Sequence, residues 1–259
     1  MAFDYDWVIV GSGFGGSVSA LRLSEKGYKV AVVEVGRRFE DKDFAETAWN
    51  LRRYFWMPRI GLRGILRMSP FKDVFVVSGS GVGGGSLGYA NTLYRPLPGF
   101  YKDPQWNGMA DWEVELGRHY VTAERMLGVT LYRDELLHEY AKETGADGTY
   151  SNTQVGVYFG EEGVTVKDPF FGGEGPDRTG CKKCGSCMVG CRHGAKNTLV
   201  KNYLYFAEKL GAEVIPGTQV KEIRPLGAAD GSEGYELKTQ RSGGMIRKNK
   251  GRLTARGVI

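Results

Sequence analysis

All four cysteines of the chain fall within eleven positions, as Cys181-x2-Cys184-x2-Cys187-x3-Cys191. Thiolates at this spacing form the ligand run of bacterial ferredoxins, except that Arg192 stands where those proteins carry proline. A single 4Fe–4S cluster would take all four thiolates, or His193 in place of one. Four thiolates can also close a tetrahedral zinc site, and four reduced thiols in a tight glycine-rich loop are the plainest alternative. Confinement to one short segment argues against a disulfide framework.

A second chemistry is written in glycine. The apolar run Trp7-Val8-Ile9-Val10 breaks into Gly11-Ser12-Gly13-Phe14-Gly15-Gly16, a helical pattern follows to Gly27, and a second apolar run ends at Glu34. Strand, Gly-x-Gly-x-x-Gly, helix, strand and terminal acid together make a dinucleotide fingerprint. Gly11 allows the tight turn, Gly13 lets a pyrophosphate approach, and Gly16 lets helix and strand pack. The helix N-terminus offers free N–H groups to phosphate, and Glu34 accepts from a ribose hydroxyl while repelling a 2′-phosphate. FAD or NAD is favoured over NADP. Roughly 180 residues separate this unit from the next parallel-strand candidate, near Val214, where a simple nicotinamide domain has one short crossover. That gap suits a flavoprotein with large insertions.

The stretch Ser78-Gly79-Ser80-Gly81-Val82-Gly83-Gly84-Gly85-Ser86-Leu87 follows a strand-like run, Val74 to Val77, which reads as buried. Its small residues let backbone lie flush against a flat or anionic ligand. Just upstream, residues 47–72 carry six cations (Arg52, Arg53, Arg59, Arg63, Arg67, Lys72) and no acid, interleaved with Trp49, Tyr54, Phe55, Trp56, Ile60, Leu62, Ile65, Leu66 and Phe71. Such a mixture suits a peripheral contact with an anionic membrane; a cofactor-covering arm with solvated charges is the plainer reading.

These loops, with Glu34-Val35-Gly36-Arg37, resemble the cholesterol oxidase branch of the glucose-methanol-choline oxidoreductases. The likeness runs on through Trp106, Trp112, Tyr120, Met126-Leu127-Gly128-Val129 and Gly190-Cys191-Arg192-His193-Gly194-Ala195-Lys196-Asn197-Thr198-Leu199 to the strand ending at Val220. The resemblance implies FAD, with Phe14 and Gly15 at its pyrophosphate, Glu34 at the adenosine ribose, Gly85 near the flavin and Val220 meeting the adenine through its backbone. Gly11, Gly13, Gly16 and Gly83 complete the implied cofactor set. The family's flavin-contacting Asn is expected two residues after the Ser-Leu pair, where this chain has Tyr89; Asn91 is the nearest Asn. The implied reaction takes hydride from the 3β-hydroxyl of a sterol or steroid and passes electrons to dioxygen or another acceptor. In that family the His and Asn at the substrate come from the C-terminal half, so no catalytic residue is assigned, and the chain alone is expected to be inactive. A flavin or iron–sulfur electron-transfer module and an inactive fragment are the alternatives.

The elements that must position these residues read as α/β. The expected fold is a Rossmann-like, FAD-binding domain of the glutathione-reductase type with part of a substrate domain. Residues 1–130 and 190–259 would hold FAD, and 131–189 would be a substrate-side insertion carrying the cysteine loop. Helices are expected from Asp111 to Leu127, with Trp112, Leu116, Tyr120, Ala123 and Leu127 inward, from Asp134 to Thr144, and from Thr198 to Leu210. Arg256 to Ile259 reads as the opening of a central strand, so the chain reads as a truncated front portion. The 259 residues include 39 Gly without a collagen period, and 41% apolar residues suffice for a core. The net charge is +5, but 47–72 and 237–259 together hold 13 basic residues and no acid, leaving 22 basic against 30 acidic residues elsewhere. That distribution disfavours nucleic acid as a partner. The opening Met1 to Trp7 carries two acids and no basic leader, and the uncharged run Val74–Tyr94 contains six Gly, so a cytoplasmic protein is expected, peripheral on the inner membrane face if it meets lipid.

Overall fold

The two apolar runs of the fingerprint form β1 (Tyr5–Val10) and β2 (Val30–Val33), joined by α1 (Phe14–Ser24). The computed structural model describes residues 2–242 and 249–259 and pairs these strands in parallel, with Ile9 opposite Val32. Parallel strands need cover on both faces. Ile9, Val30 and Val32 pack against Ala20 and Leu21 of α1 and against Leu204 and Ala207; Val8, Ala31 and Val33 pack on the other face with Leu237 and Ala255. Each such buried Val or Leu contributes about 1.5–3 kcal/mol, which fixes the register of the pair.

Downstream of β2, β3 (Leu66–Pro70) and β4 (Phe75–Gly79) form an antiparallel hairpin. The expected buried strand is here corrected: Phe75, Val76 and Val77 are 59%, 41% and 53% exposed. Apolar composition gives β propensity, but burial needs a covering layer, and this two-stranded hairpin has none over those side chains. Helix α2 (Trp112–Met126) starts at Asp111, whose carboxylate accepts from Val114 N–H at 3.3 Å, and α3 (Glu135–Glu143) starts at Asp134, which accepts from Leu137 N–H at 2.9 Å. Trp112, Leu116, Tyr120 and Ala123 are only half-buried. The expected helix over 198–210 is split: a 3-10 turn at Leu199–Lys201 precedes α4 (Tyr203–Lys209). Asn202 makes the break, leaving helical geometry (φ −146°) and accepting from Tyr203 N–H at 2.6 Å.

After α4, β5 (Glu213–Ile215) pairs in parallel with β2, as expected near Val214. Strands β6 (Thr218–Pro225), β7 (Tyr235–Arg241) and β8 (Lys250–Val258) then form an antiparallel meander whose last strand returns to lie parallel to β1. The result is a six-stranded mixed sheet in the order β5-β2-β1-β8-β7-β6. The expected opening of a strand at Arg256 is corrected: Arg256 lies near the end of the central strand β8. The basic residues there turn outward, Arg252 to Glu236 and Arg256 to Asp6, while Leu253 and Ala255 pack inward. Part of the basic run over 237–259, residues 243–248, lies outside the described residues, as does Met1. Among the described residues no helix is long and apolar enough to cross a membrane.

The glycine-rich stretch 160–196 is ordered by two buried polar residues. Arg178, 1% exposed, donates to Asn197 Oδ1 at 3.0 Å and to the carbonyls of Pro176, Asp177 and Lys201. Asp168 accepts from the backbone N–H groups of Phe170, Phe171, Gly173 and Gly175 at 2.9–3.0 Å. Burial pulls the Asp168 carboxyl upward, but the four donors outweigh it and hold the group below the usual carboxylate range. Its stabilising contribution is therefore present above the unfolded value, about pH 4, and is lost as pH falls toward the lower folded value. Asp168→Asn is expected to remove about 2 kcal/mol at neutral pH. Urea unfolding as a function of pH should show the parent's loss of stability below about pH 4 to be flatter in the variant; parallel curves would refute this account.

Candidate functional site

Glu34 follows β2 directly and is 5% exposed. One carboxylate oxygen accepts from Ser12 N–H at 3.0 Å and Ser12 Oγ–H at 2.7 Å. The other accepts from Gly36 N–H at 2.8 Å and Gly81 N–H at 3.2 Å. Ser12 Oγ in turn accepts from Gly83 N–H at 3.1 Å. One buried carboxylate thus joins the first glycine loop, the turn after β2 and the second glycine loop. A carboxylate has about four lone-pair positions, and all are taken. Glu34, expected at a ribose, is here a clasp within the protein.

The glycines divide by what a side chain would meet. A Cβ on Gly16 would lie 2.0 Å from the Gly11 carbonyl oxygen, one on Gly36 2.1 Å from Gly81 N, and one on Gly84 2.7 Å from Gly13 Cα. Those glycines exist for packing. A Cβ on Gly13 or Gly15 would meet nothing within 4 Å, and one on Gly85 only the Phe14 ring at 4.0 Å. Their bare backbone faces outward where the loops adjoin. Helix α1 begins there at Gly13 with no side-chain cap, so its first N–H groups are free, and Gly11 makes the turn at φ +101°. An open backbone cradle over an uncapped helix N-terminus fits the pyrophosphate of a dinucleotide such as FAD.

Gly11, Gly13, Phe14, Gly15, Gly16 and Gly85 are brought together where the two loops adjoin. Gly83 is instead buried, its N–H committed to Ser12. Val220 lies in β6, whose approach is tied to the Glu34 turn by Gly217 N–H to Gly36 O at 2.7 Å and Thr218 N–H to Glu34 O at 2.8 Å. A bulge after Val220 leaves Lys221 without a cross-strand partner. Asn91 turns away from this cradle: its Nδ2 donates to Cys187 Sγ at 3.0 Å. Tyr89 makes the contact with Phe14, edge to face at 6.2 Å, and its buried hydroxyl donates to Asn197 O.

Cys181, Cys184, Cys187 and Cys191 are free and line one cavity of about 560 Å³ with Asn91, Lys196 and residues of the 132–159 segment. Among the described residues no three His, Cys, Asp or Glu side chains form a ready-made metal site, so neither the iron–sulfur cluster nor the zinc site weighed from the sequence is preassembled. The thiols border the cavity wall instead of meeting at a point. Burial pushes the Cys181 thiol up. Sequence reading overlooked Ser12, whose hydroxyl inside Gly-x-Gly was the available signal, and Lys196. Lys196 is 1% exposed, its ammonium held by the carbonyls of Leu87 at 3.0 Å and Cys187 at 2.8 Å and lying over the Tyr89 ring. Nothing in one sequence distinguishes such a lysine from a solvated one.

Glu34→Gln places an amide donor against N–H donors and should cost about 2–3 kcal/mol. A fall of about 5 °C or more in the thermal unfolding midpoint is expected; an unchanged midpoint would remove the clasp from this account.

Residues 9–39 match the model of a family described as an NAD(P)-binding Rossmann-like domain. The chain is 52% identical to a cholesterol oxidase of Mycobacterium tuberculosis over 99% of its own length and 45% of that protein's. It is 49% identical to a cholesterol oxidase of Acinetobacter baumannii, covering 99% of this chain and 48% of the relative. The chain thus spans about half the length of the curated relatives it matches. Among solved structures, a pyridoxine 4-oxidase from Mesorbium loti shares the fold, with a TM-score of 0.52 at 18% identity, over 98% of this chain and 48% of that one. A fungal aryl-alcohol oxidase gives the same TM-score of 0.52 at 16% identity, over 100% of this chain and 45% of that one. With its Rossmann-like sheet and two opposed glycine loops, the chain is similar over nearly its whole length to about half of each of these proteins named cholesterol oxidase.

Proposed function

We propose that this chain forms the FAD-holding part of an oxidoreductase acting on the CH–OH group of an alcohol, with the 3β-hydroxyl of a sterol or steroid as the substrate group and dioxygen or another acceptor receiving the electrons. The observation that carries the reading is the open backbone cradle of Gly13, Gly15 and Gly85, held by the Glu34 clasp. The relatives named cholesterol oxidase, at 49–52% identity, support the substrate class. Bound FAD supplies the two-electron acceptor. The chain supplies its seat: the N–H groups at the start of α1 face the pyrophosphate, Phe14 and Tyr89 bound the cradle, and the β6 backbone near Val220 offers a surface for adenine. In this reading residues 1–130 and 190–259 serve the cofactor and 131–189 the substrate side.

Because a Cβ at Gly13 meets no protein atom, Gly13→Val tests the ligand and spares the fold. Titration with FAD, followed by quenching of flavin fluorescence, should show saturable binding that weakens roughly tenfold or more in Gly13→Val. Equal affinity of the two chains, or no FAD binding by a folded parent, would defeat the proposal.

The basic aromatic segment extends the same reading toward a lipid-borne substrate. Tyr54 and Ile65 turn inward to Phe39 and Phe44, whereas Trp49, Ile60 and Phe71 are 90%, 65% and 66% exposed beside Arg52, Arg53, Arg59 and Lys72. Exposed rings among cations suit an anionic headgroup layer. Vesicles rich in phosphatidylserine should co-sediment the chain at low salt and release it at high salt; no binding at low salt contradicts this part.

A further inference from the structure

We propose that the cavity bordered by Cys181, Cys184, Cys187 and Cys191 is a binding site for a 4Fe–4S cluster, ligated by the four thiolates. This rests on neither FAD binding nor the alcohol substrate.

The loop has the backbone of a thiolate ligand before any metal is added. Lys183 adopts φ +52°, one of two non-glycine residues described with positive φ, and Gly185 follows Cys184 at φ +70°. That left-handed turn aims Lys183 N–H at Cys181 Sγ, 3.4 Å away. A β-carbon costs energy in this conformation, so the surroundings must impose it. The imposed product is an N–H donor directed at sulfur. A second sulfur is treated alike, because Asn91, the other non-glycine residue at positive φ (+60°), donates from Nδ2 to Cys187 Sγ at 3.0 Å. Hydrogen bonds of this kind to ligand sulfur help set the potential of iron–sulfur centres.

Charge points the same way. Four thiolates around a 2+ cluster carry net negative charge, and the cavity lining offers Lys182, Lys183, Arg192 and Lys196 against Glu46 and Asp134. Lys196 is buried against the Cys187 carbonyl and has no carboxylate among its hydrogen-bond partners. An anionic occupant would balance it.

Sequence spacing favours a cluster over a single ion. Tetrahedral zinc, with Zn–S near 2.3 Å, needs its four sulfurs about 3.8 Å apart. The four thiols border one cavity of about 560 Å³. A cube of iron and sulfide presents a separate iron to each thiolate, and the Cys-x2-Cys-x2-Cys-x3-Cys run has the ferredoxin spacing. The site also lies behind the second glycine loop: a Cβ on Gly88 would meet the Met188 carbonyl oxygen at 3.5 Å.

The purified 259-residue chain, incubated anaerobically with ferrous iron, sulfide and thiol reductant, then desalted, tests the site. About four iron and four sulfide per chain are expected, with a broad visible absorption that dithionite bleaches. Cys184 is exposed, so Cys184→Ser should keep the parent's far-ultraviolet circular dichroism while its iron content falls from about four to below about one per chain. A folded parent that takes up no iron and sulfide overturns the proposal. So does one that binds a single zinc ion in their place, or a Cys184→Ser variant that retains the full cluster.

Discussion

The cofactor end of this sheet depends on finding four donors for one buried carboxylate. Removing a charge from water costs several kcal/mol unless hydrogen bonds replace the lost solvation. Glu34 cannot obtain them from its own strand, where the N–H groups serve the sheet. It takes them from Ser12, Gly36 and Gly81, which lie on three separate turns. Those turns must therefore converge on one point, and backbone must approach backbone. Gly36 and Gly81 come so close that a Cβ on Gly36 would lie 2.1 Å from Gly81 N. Glycine at position 36 follows from the carboxylate at 34.

Once the loops are clasped on their inner side, their outer side is fixed as well. Gly13, Gly15 and Gly85 are left as bare backbone because the neighbours that hold the loops are all on the Glu34 side. The same clasp reaches the far edge of the sheet, since the turn at Gly36 holds Gly217 and so sets where β6 departs. Sheet, loops and the edge strand β6 are thus positioned from one group. The long excursion between β2 and β5 is tolerated because β1 and β5 both take their register from β2 and from the α1–α4 face that covers it.

Much of this was legible in the sequence, for reasons that are local. Gly-x-Gly-x-x-Gly after an apolar run names its own turn, and Asp111 and Asp134 name helix starts because capping involves residues only three apart. What could not be read depends on distant partners. Whether Glu34 points to a ribose or to Gly81 depends on a loop 47 residues away. The basic sequence of β8 hides a central strand, because Glu236 and Asp6 supply its counter-charges from other strands. The apolar hairpin β3–β4 misleads in the opposite sense: its side chains promise a core that no neighbouring layer provides. Asn202 breaks a helix with a side-chain hydrogen bond that apolar periodicity cannot register.

The buried cations show why cofactor cradle and cysteine cavity are joined as one electrostatic unit. Lys196 bridges the carbonyls of Leu87, at the end of the second glycine loop, and Cys187, in the cysteine loop. Burial pushes its ammonium down to about 8, which still leaves it charged at neutral pH. Its neighbour Asn197 accepts from Arg178, also buried and charged, and donates to Gly128 O. Both cations are hydrogen-bonded to neutral oxygens; Asp168 and Asp41 act on Arg178 through space, whereas no carboxylate does so on Lys196. A low-dielectric interior transmits such fields further than water does. With the free N–H groups of α1 they bias the volume behind and around the second loop toward negative charge, whatever the net charge of the whole chain. Lys196 is the residue that touches both the second glycine loop and the cysteine loop.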